Sequence, residues 1–435
     1  MRLTNLLRNK TVKNAGWLMG GKIAQMVISL VVGMLTARFL GPSNYGLINY
    51  ASAFTAFFMA FCTLGINNVL VKEFVERPED EGLVLGTTLV LRAISSLMSA
   101  GVIILIVWFL DADEPTTIAV VALSCVGLVF HIFDAFHFRF QAQLKSKVTA
   151  IVSLIAYAVT AVYKIILLIL NKNVLFFAFS TSVDYICVAV LLFVAYKRHD
   201  GKPLRFSWTY ARSLLNKSYH FILSGMMVAI YGQTDKLMLK QMLGGADVGF
   251  YSTATAICAM WTFVLQAVID SIYPSIVEAH NQDEELFKKR NRLLYSIVFY
   301  VSIGVSVMFS IFANLIIRIL YGAQYLPAAN PLRIVTWYTA FSYLGVARNA
   351  WIVCKGRQKY LKYIYMLAAL MNVGLNLLLI PKFGASGAAM ASLVTQILTS
   401  IVLPMFIPAL RENAKLMLDA IMLKGVIKKE IRSRP

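Results

Sequence analysis

Charge is scarce in this chain. Only 14% of its 435 residues are Asp, Glu, Lys or Arg, against about 25% in an ordinary soluble domain. With 59% apolar residues, a soluble fold of this length would lack the polar surface to cover its core. That excludes a soluble enzyme and a disordered chain. Cysteine is sparse too, with five residues at 62, 125, 187, 258 and 354 and no CxxC spacing. Four of them lie inside apolar runs and read as small core hydrophobes, so neither a disulfide scaffold nor a zinc site is expected. There is no long linker and no low-complexity tract, and hence no room for a separate soluble domain.

Long apolar runs fill the chain instead. A membrane span needs about 20 mostly apolar residues. Twelve runs qualify: 15–38, 45–70, 84–110, 117–137, 148–170, 174–196, 217–241, 250–278, 292–320, 329–353, 361–380 and 385–410. The first follows a polar stretch carrying Arg2, Arg8, Lys10 and Lys13. It is too long for a signal-peptide core, so it reads as a retained span. The seventh is the least regular, because GQTDK interrupts it at 232–236.

The net charge of +20 comes from 41 Lys and Arg against 21 Asp and Glu. Thirty of the 41 fall on the side that holds both termini, and four (Arg38, Lys172, Lys240 and Lys382) on the other. Basic residues mark the cytoplasmic side, so both termini are expected there. The surplus then serves orientation and attraction to anionic lipids, not nucleic-acid binding. This gives a cytoplasmic segment 1–14, an N-lobe 15–196, a basic linker 197–216, a C-lobe 217–410 and an amphipathic tail 411–435. In the tail, Leu416, Ala420, Leu423, Ile427 and Ile431 recur at helical spacing opposite Lys415, Asp419, Lys424 and Lys428. Such a helix is expected to lie on the inner leaflet, and residues 2–13 to do the same.

The two lobes share a motif. TARFLGPSNYGLINYAS (36–52) and LKQMLGGADVGFYSTAT (239–255) both carry L-G-x4-G, 203 residues apart. Each copy joins the first and second helices of a six-helix half. Glycine suits a tight turn that needs positive φ. Two parallel repeats are a transporter architecture.

RFLGPSNYG (38–46), followed by TLGINNVLVKEF (63–74), resembles the opening of Wzx-type polysaccharide flippases. These belong to the multidrug/oligosaccharidyl-lipid/polysaccharide exporter (MOP) superfamily. LYGAQYLPAANPLRI (320–334) is similar to their signature between the ninth and tenth helices, and IPKFGASGAAMAS (380–392) to that between the eleventh and twelfth. The resemblance implies an all-α integral membrane protein with twelve transmembrane helices in two six-helix lobes, a V-shaped MATE-like fold. It further implies a non-enzymatic flippase in a bacterial plasma membrane, moving an undecaprenyl-pyrophosphate-linked oligosaccharide by alternating access. Partners would be that substrate, anionic lipids and a polysaccharide polymerase or ligase. No cofactor is expected, beyond coupling to H+, Na+ or the membrane potential. The competing readings are a cation-coupled multidrug exporter and a membrane-embedded glycosyl or acyl transferase, the latter without a catalytic constellation.

Charges inside spans cost about 2.5–3.5 kcal/mol each on insertion scales and mark function. Substrate-site candidates are Lys22, Gln25, Arg92, Lys164, Asp235, Lys236, Asp270 and Arg348. Lys22, Gln25, Ser29 and Gly33 form one polar stripe on the first helix. Lys164 and Asp184 read either as a structural pair or as cavity groups. Asp270 precedes Pro274, which allows bending. Lys22, Arg92, Lys236 and Arg348 are expected to line a cationic cavity for pyrophosphate, with Arg as a planar fork and Lys as a point charge. The carboxylates would serve a coupling ion. Arg318 and Arg333 lie near span ends and snorkel. The P-loop-like Gly16, Gly21 and Lys22 lack the Ser/Thr and the preceding strand. Asp111 and Asp113 fall in an external loop. His131, Asp134 and His137 share a face, read as part of an aromatic interfacial belt rather than a metal site.

Overall fold

The computed structural model describes residues 10–199 and 201–424. They are helical, with no strand among them. By contacts the chain divides into two compact units between Gln233 and Thr234. That division falls within the seventh span, later than the linker at 197–216.

In the first unit, α1 (Lys10–Cys62) bends at Gly41, whose φ of 74° no helix accepts. It covers the first two spans. After it come α2 (Asn67–Glu76), α3 (Glu81–Leu110) and α4 (Pro115–Phe130). A 3₁₀ turn, His131–Asp134, leads to α5 (Ala135–Ala142). α6 (Ser146–Ile169), α7 (Val174–Arg198) and the first part of α8 (Trp208–Leu243) complete the unit. Pro115 opens its helix where its missing N–H costs nothing. Asn173 caps α7 by accepting from the Leu175 N–H. An aromatic core of Phe74, Phe136, Phe140, Tyr196 and Tyr210 holds the end where α2, α5 and the start of α8 meet.

Residues 201–207 are laced across that end. Arg205 N–H donates to the Gly82 carbonyl at 3.0 Å, and Ser207 N–H to Thr87 Oγ1 at 3.3 Å. Lys202 Nζ donates to the Pro78 carbonyl at 3.0 Å. The Tyr196 hydroxyl donates to the Lys202 carbonyl. Gly82 and Gly86, one turn apart on α3, leave room for this backbone.

The second unit holds α9 (Gly245–Gln282), α10 (Glu284–Leu320), α11 (Ala329–Cys354), α12 (Leu361–Phe383) and α13 (Ala385–Ile397). A π-helical stretch Leu398–Val402 follows α13, then α14 (Leu403–Phe406) and α15 (Arg411–Ile421). Asp283 caps α10 by accepting from the Leu286 N–H at 2.8 Å. The tail helix behaves differently from the expectation. Leu416, Met417 and Ala420 are buried in the core with Tyr295 and Trp351, so its apolar face is covered by protein. Tyr300 and Ser296 on α10 donate to the carbonyls of Ile421 and Ala420. Residues 2–9 and 425–435, including Ile427 and Ile431, lie outside the described residues.

Nine helices among the described residues are long and apolar enough to cross a bilayer. The first of them counts once what Gly41 breaks in two, and α8 and α11 are long but more polar. Allowing for both brings the number to the twelve read from the sequence. The chain is a multi-pass membrane protein. Gly41 and Gly244 carry the repeat: φ, ψ are 74°, 170° and 101°, −177°. The two turns share one backbone conformation.

Candidate functional site

Each unit holds a polar place inside its helices. In the first unit it is a cavity of about 190 Å³. Gln25 on α1, Ser153 and Tyr157 on α6, and Asp184 and Tyr185 on α7 line it with His131, Asp134, Phe130 and Val188. His131 and Asp134 come from the 3₁₀ turn, where residues three apart eclipse, so both face the same space. Asp184 accepts from Thr160 Oγ1 at 3.4 Å. His131 packs edge-on to the Tyr185 ring, with centroids 5.3 Å apart.

In the second unit the polar place is a sealed cluster around Asp235, 5% exposed. Asn376 Nδ2 donates to Asp235 Oδ1 at 2.7 Å, and Ser392 Oγ donates to Oδ2 at 2.5 Å. The Tyr251 hydroxyl donates to Oδ2 as well. Asn372 bridges Asn376 and Ser392. No cation lies within ion-pair distance of Asp235 among the described residues. The Asn376 Oδ1 is buried with no donor.

The eight sequence candidates therefore separate. Gln25 lines the cavity and Asp235 centres the cluster. Arg92 is 1% exposed and held by the Asn67 side-chain oxygen, its guanidinium 6.0 Å from the Phe138 ring centroid. It is not among the residues that line the cavity. Lys164 is half-buried and is not among the lining residues either. Arg348 is 2% exposed and donates from Nη1 to the Thr399 carbonyl at 3.0 Å, in the π-helical stretch. Asp270 is exposed and accepts from Gln266 at 2.8 Å. Lys236 is half-buried beside the cluster. The side chain of Lys22 lies outside the described residues.

Sequence reading missed the cluster partners Asn372, Asn376 and Ser392, and the cavity groups Ser153, Tyr157 and Tyr185. It placed His131 and Asp134 in an interfacial belt, whereas both face the cavity. His137 does not join them, and no group of His, Cys, Asp and Glu among the described residues is set to hold a metal.

Outside the spans, Glu73 is buried against α8. Lys217 Nζ meets it at 2.5 Å, and the Tyr210 hydroxyl donates to it at 2.8 Å. Burial pushes this carboxyl up, but Lys217 and Tyr210 outweigh it and hold it below its ordinary value.

Residues 11–280 match the family model described as polysaccharide biosynthesis protein. The chain is 20% identical over 402 residues to the capsular polysaccharide biosynthesis protein CapF of Staphylococcus aureus, covering 88% of this chain and 96% of that one. It is 24% identical over 188 residues to the probable low-salt glycan biosynthesis flippase Agl15 of Haloferax volcanii, covering 43% and 40% of the two chains. Its fold is that of the lipid II flippase MurJ in an inward closed conformation, with a TM-score of 0.69 at 13% identity over 95% of this chain and 92% of that one.

Proposed function

Because the chain belongs to the polysaccharide biosynthesis protein family, we propose that it carries a lipid-linked oligosaccharide across a bacterial plasma membrane, from the cytoplasmic to the outer leaflet. The family match supports the class, and the flippase among its relatives supports the step. The observation that carries the reading is the pair of repeat-related units, each enclosing polar groups deep among apolar helices. Such groups are costly to keep there and persist where something polar must pass.

The cargo is an undecaprenyl-pyrophosphate-linked oligosaccharide, moved by alternating access. Lys236, half-buried beside the Asp235 cluster, supplies a point charge for the pyrophosphate. The Asp235 cluster takes the coupling cation. Three donors orient its carboxylate, no cation among the described residues lies within ion-pair distance of it, and the orphaned Asn376 Oδ1 adds an oxygen ligand. Oxygen ligands of this kind suit a small hard cation or a proton.

A multidrug exporter is the second reading, favoured by the two carboxylates in the first unit's cavity, which would suit a cationic drug. Deleting the gene separates the two. The flippase reading expects sugar-loaded carrier on the inner leaflet and no surface polysaccharide. Unchanged polysaccharide with new drug sensitivity would overturn it. Asp235→Asn should leave folded protein but no ion-driven transport, and the response to sodium against pH identifies the ion.

A further inference from the structure

We infer that the cavity of the first unit is a monosaccharide subsite that holds one neutral or amino sugar of the cargo. The inference rests on the flippase reading and names the part of the cargo that this lobe recognises.

The first ground is unmet hydrogen-bonding capacity. Gln25, His131, Asp134 and Tyr185 all line the cavity. None of them bonds to another side chain or to backbone among the described residues. Asp184 has only its 3.4 Å contact with Thr160. Amide, imidazole, carboxylate and phenol therefore present donors and acceptors to one space. Polar groups inside a bundle take protein or water partners, so several of them converging on one cavity suit an occupant that carries many hydroxyls.

Size narrows the occupant. At about 190 Å³ the cavity lies below the roughly 300–1,000 Å³ of drug-sized sites. It holds about six waters at about 30 Å³ each, the scale of one pyranose ring. The ring's hydroxyls suit the carboxylates and the Gln25 amide, and its C–H face suits the Tyr185 and Phe130 rings. Charge narrows it further. Among the described residues the wall carries Asp134 and Asp184 and no lysine or arginine. Arg92 and Lys164 are not among the residues of the wall. An acid sugar would bring a like charge to them; a neutral or amino sugar would not.

Saturation-transfer NMR on the purified full-length protein in detergent tests this. The probes are methyl glucoside, glucosamine, glucuronate and tetraphenylphosphonium. Transfer is expected to the first two sugars, with a signal for glucuronate lower by about fivefold or more. Gln25→Ala and Tyr185→Phe should each lower the sugar signal about fivefold, as the loss of one hydrogen bond does. Gly101→Ala, where an added Cβ meets nothing within 4 Å, should leave it unchanged. Melting curves confirm that each variant is folded. Equal signals in wild type and both cavity variants overturn the subsite, and so does transfer to tetraphenylphosphonium alone. Transport of lipid-linked cargo in proteoliposomes is scored alongside. Transport without sugar transfer overturns the subsite and leaves the flippase reading standing; sugar transfer without transport supports the subsite and overturns that reading.

Discussion

One methyl group at Gly86 should pull the 201–207 segment off the first unit. A Cβ built there lies 2.3 Å from the Arg205 carbonyl oxygen and 2.7 Å from its nitrogen. At Gly82 it lies 2.1 Å from the Pro203 carbonyl oxygen. Both neighbours are backbone, so no side chain can swing aside. Relief requires the segment to lift, and overpacking of this kind costs about 1–3 kcal/mol. Lifting also breaks the 3.0 Å bond from Arg205 N–H to the Gly82 carbonyl, worth about 1 kcal/mol. The total is roughly 2–4 kcal/mol, borne locally. At 1.4 kcal/mol per tenfold, the open population rises about 30- to 700-fold. Trypsin reads it at the Arg205–Phe206 bond, where cleavage tracks that population when reclosing is fast. Gly101→Ala is the control, because a Cβ there meets nothing within 4 Å. If Gly82→Ala and Gly86→Ala are cut no faster than wild type, the segment is not held as described.

Three further outcomes are expected. In a background free of native cysteines, Ser43→Cys and Ala246→Cys should both react with an impermeant thiol reagent added outside; labelling of only one would break the repeat. The Glu73 carboxyl is held below its usual 4.5, so its contact with α8 stabilises at neutral pH and is lost as pH falls below that value toward the lower folded one. Hydrogen exchange across 208–217 should report that loss, and Lys217→Gln should move it to higher pH; an unmoved midpoint refutes the pairing. Arg348 has no carboxylate within ion-pair distance among the described residues. Arg348→Met should therefore hold or raise the folded level, because it removes a buried charge of similar volume. Loss of the protein from the membrane would show that the bond to Thr399 is required for folding.

The spans were legible because each is an apolar run of the right length, and the two glycine turns because their motif repeats. Gly41 bends a helix without ending it, and the sequence alone separates the two spans at that point only by a loop. The tail's helical pattern was readable, but not what covers it: an apolar stripe looks the same whether lipid or Tyr295 and Trp351 lie against it. Asp235 stood out as a charge in a span. Its partners did not, although Asn372 and Asn376 are four apart in an apolar helix and share a face. Gln25 was found from the stripe on the first helix. Tyr157 and Tyr185 were hidden among 20 tyrosines, because only packing decides which of them reach a cavity. Arg92 is buried and Lys164 half-buried, yet neither lines the cavity.

The matched turns at Gly41 and Gly244 bear on ancestry. They preserve one backbone shape while Pro-Ser-Asn follows the glycine in one copy and Gly-Ala-Asp in the other. On the same offset of 203 residues, Asp235 corresponds to Val32, which is buried and apolar, and Asp184 to Gly387, where an added Cβ would lie 2.2 Å from the Leu379 carbonyl oxygen. Neither key carboxylate has a counterpart in the other half. The two halves share a turn and differ in polar chemistry: a cavity in one, a sealed cluster in the other. A chimera built from two copies of one half would keep the bundle and forfeit one of the two chemistries.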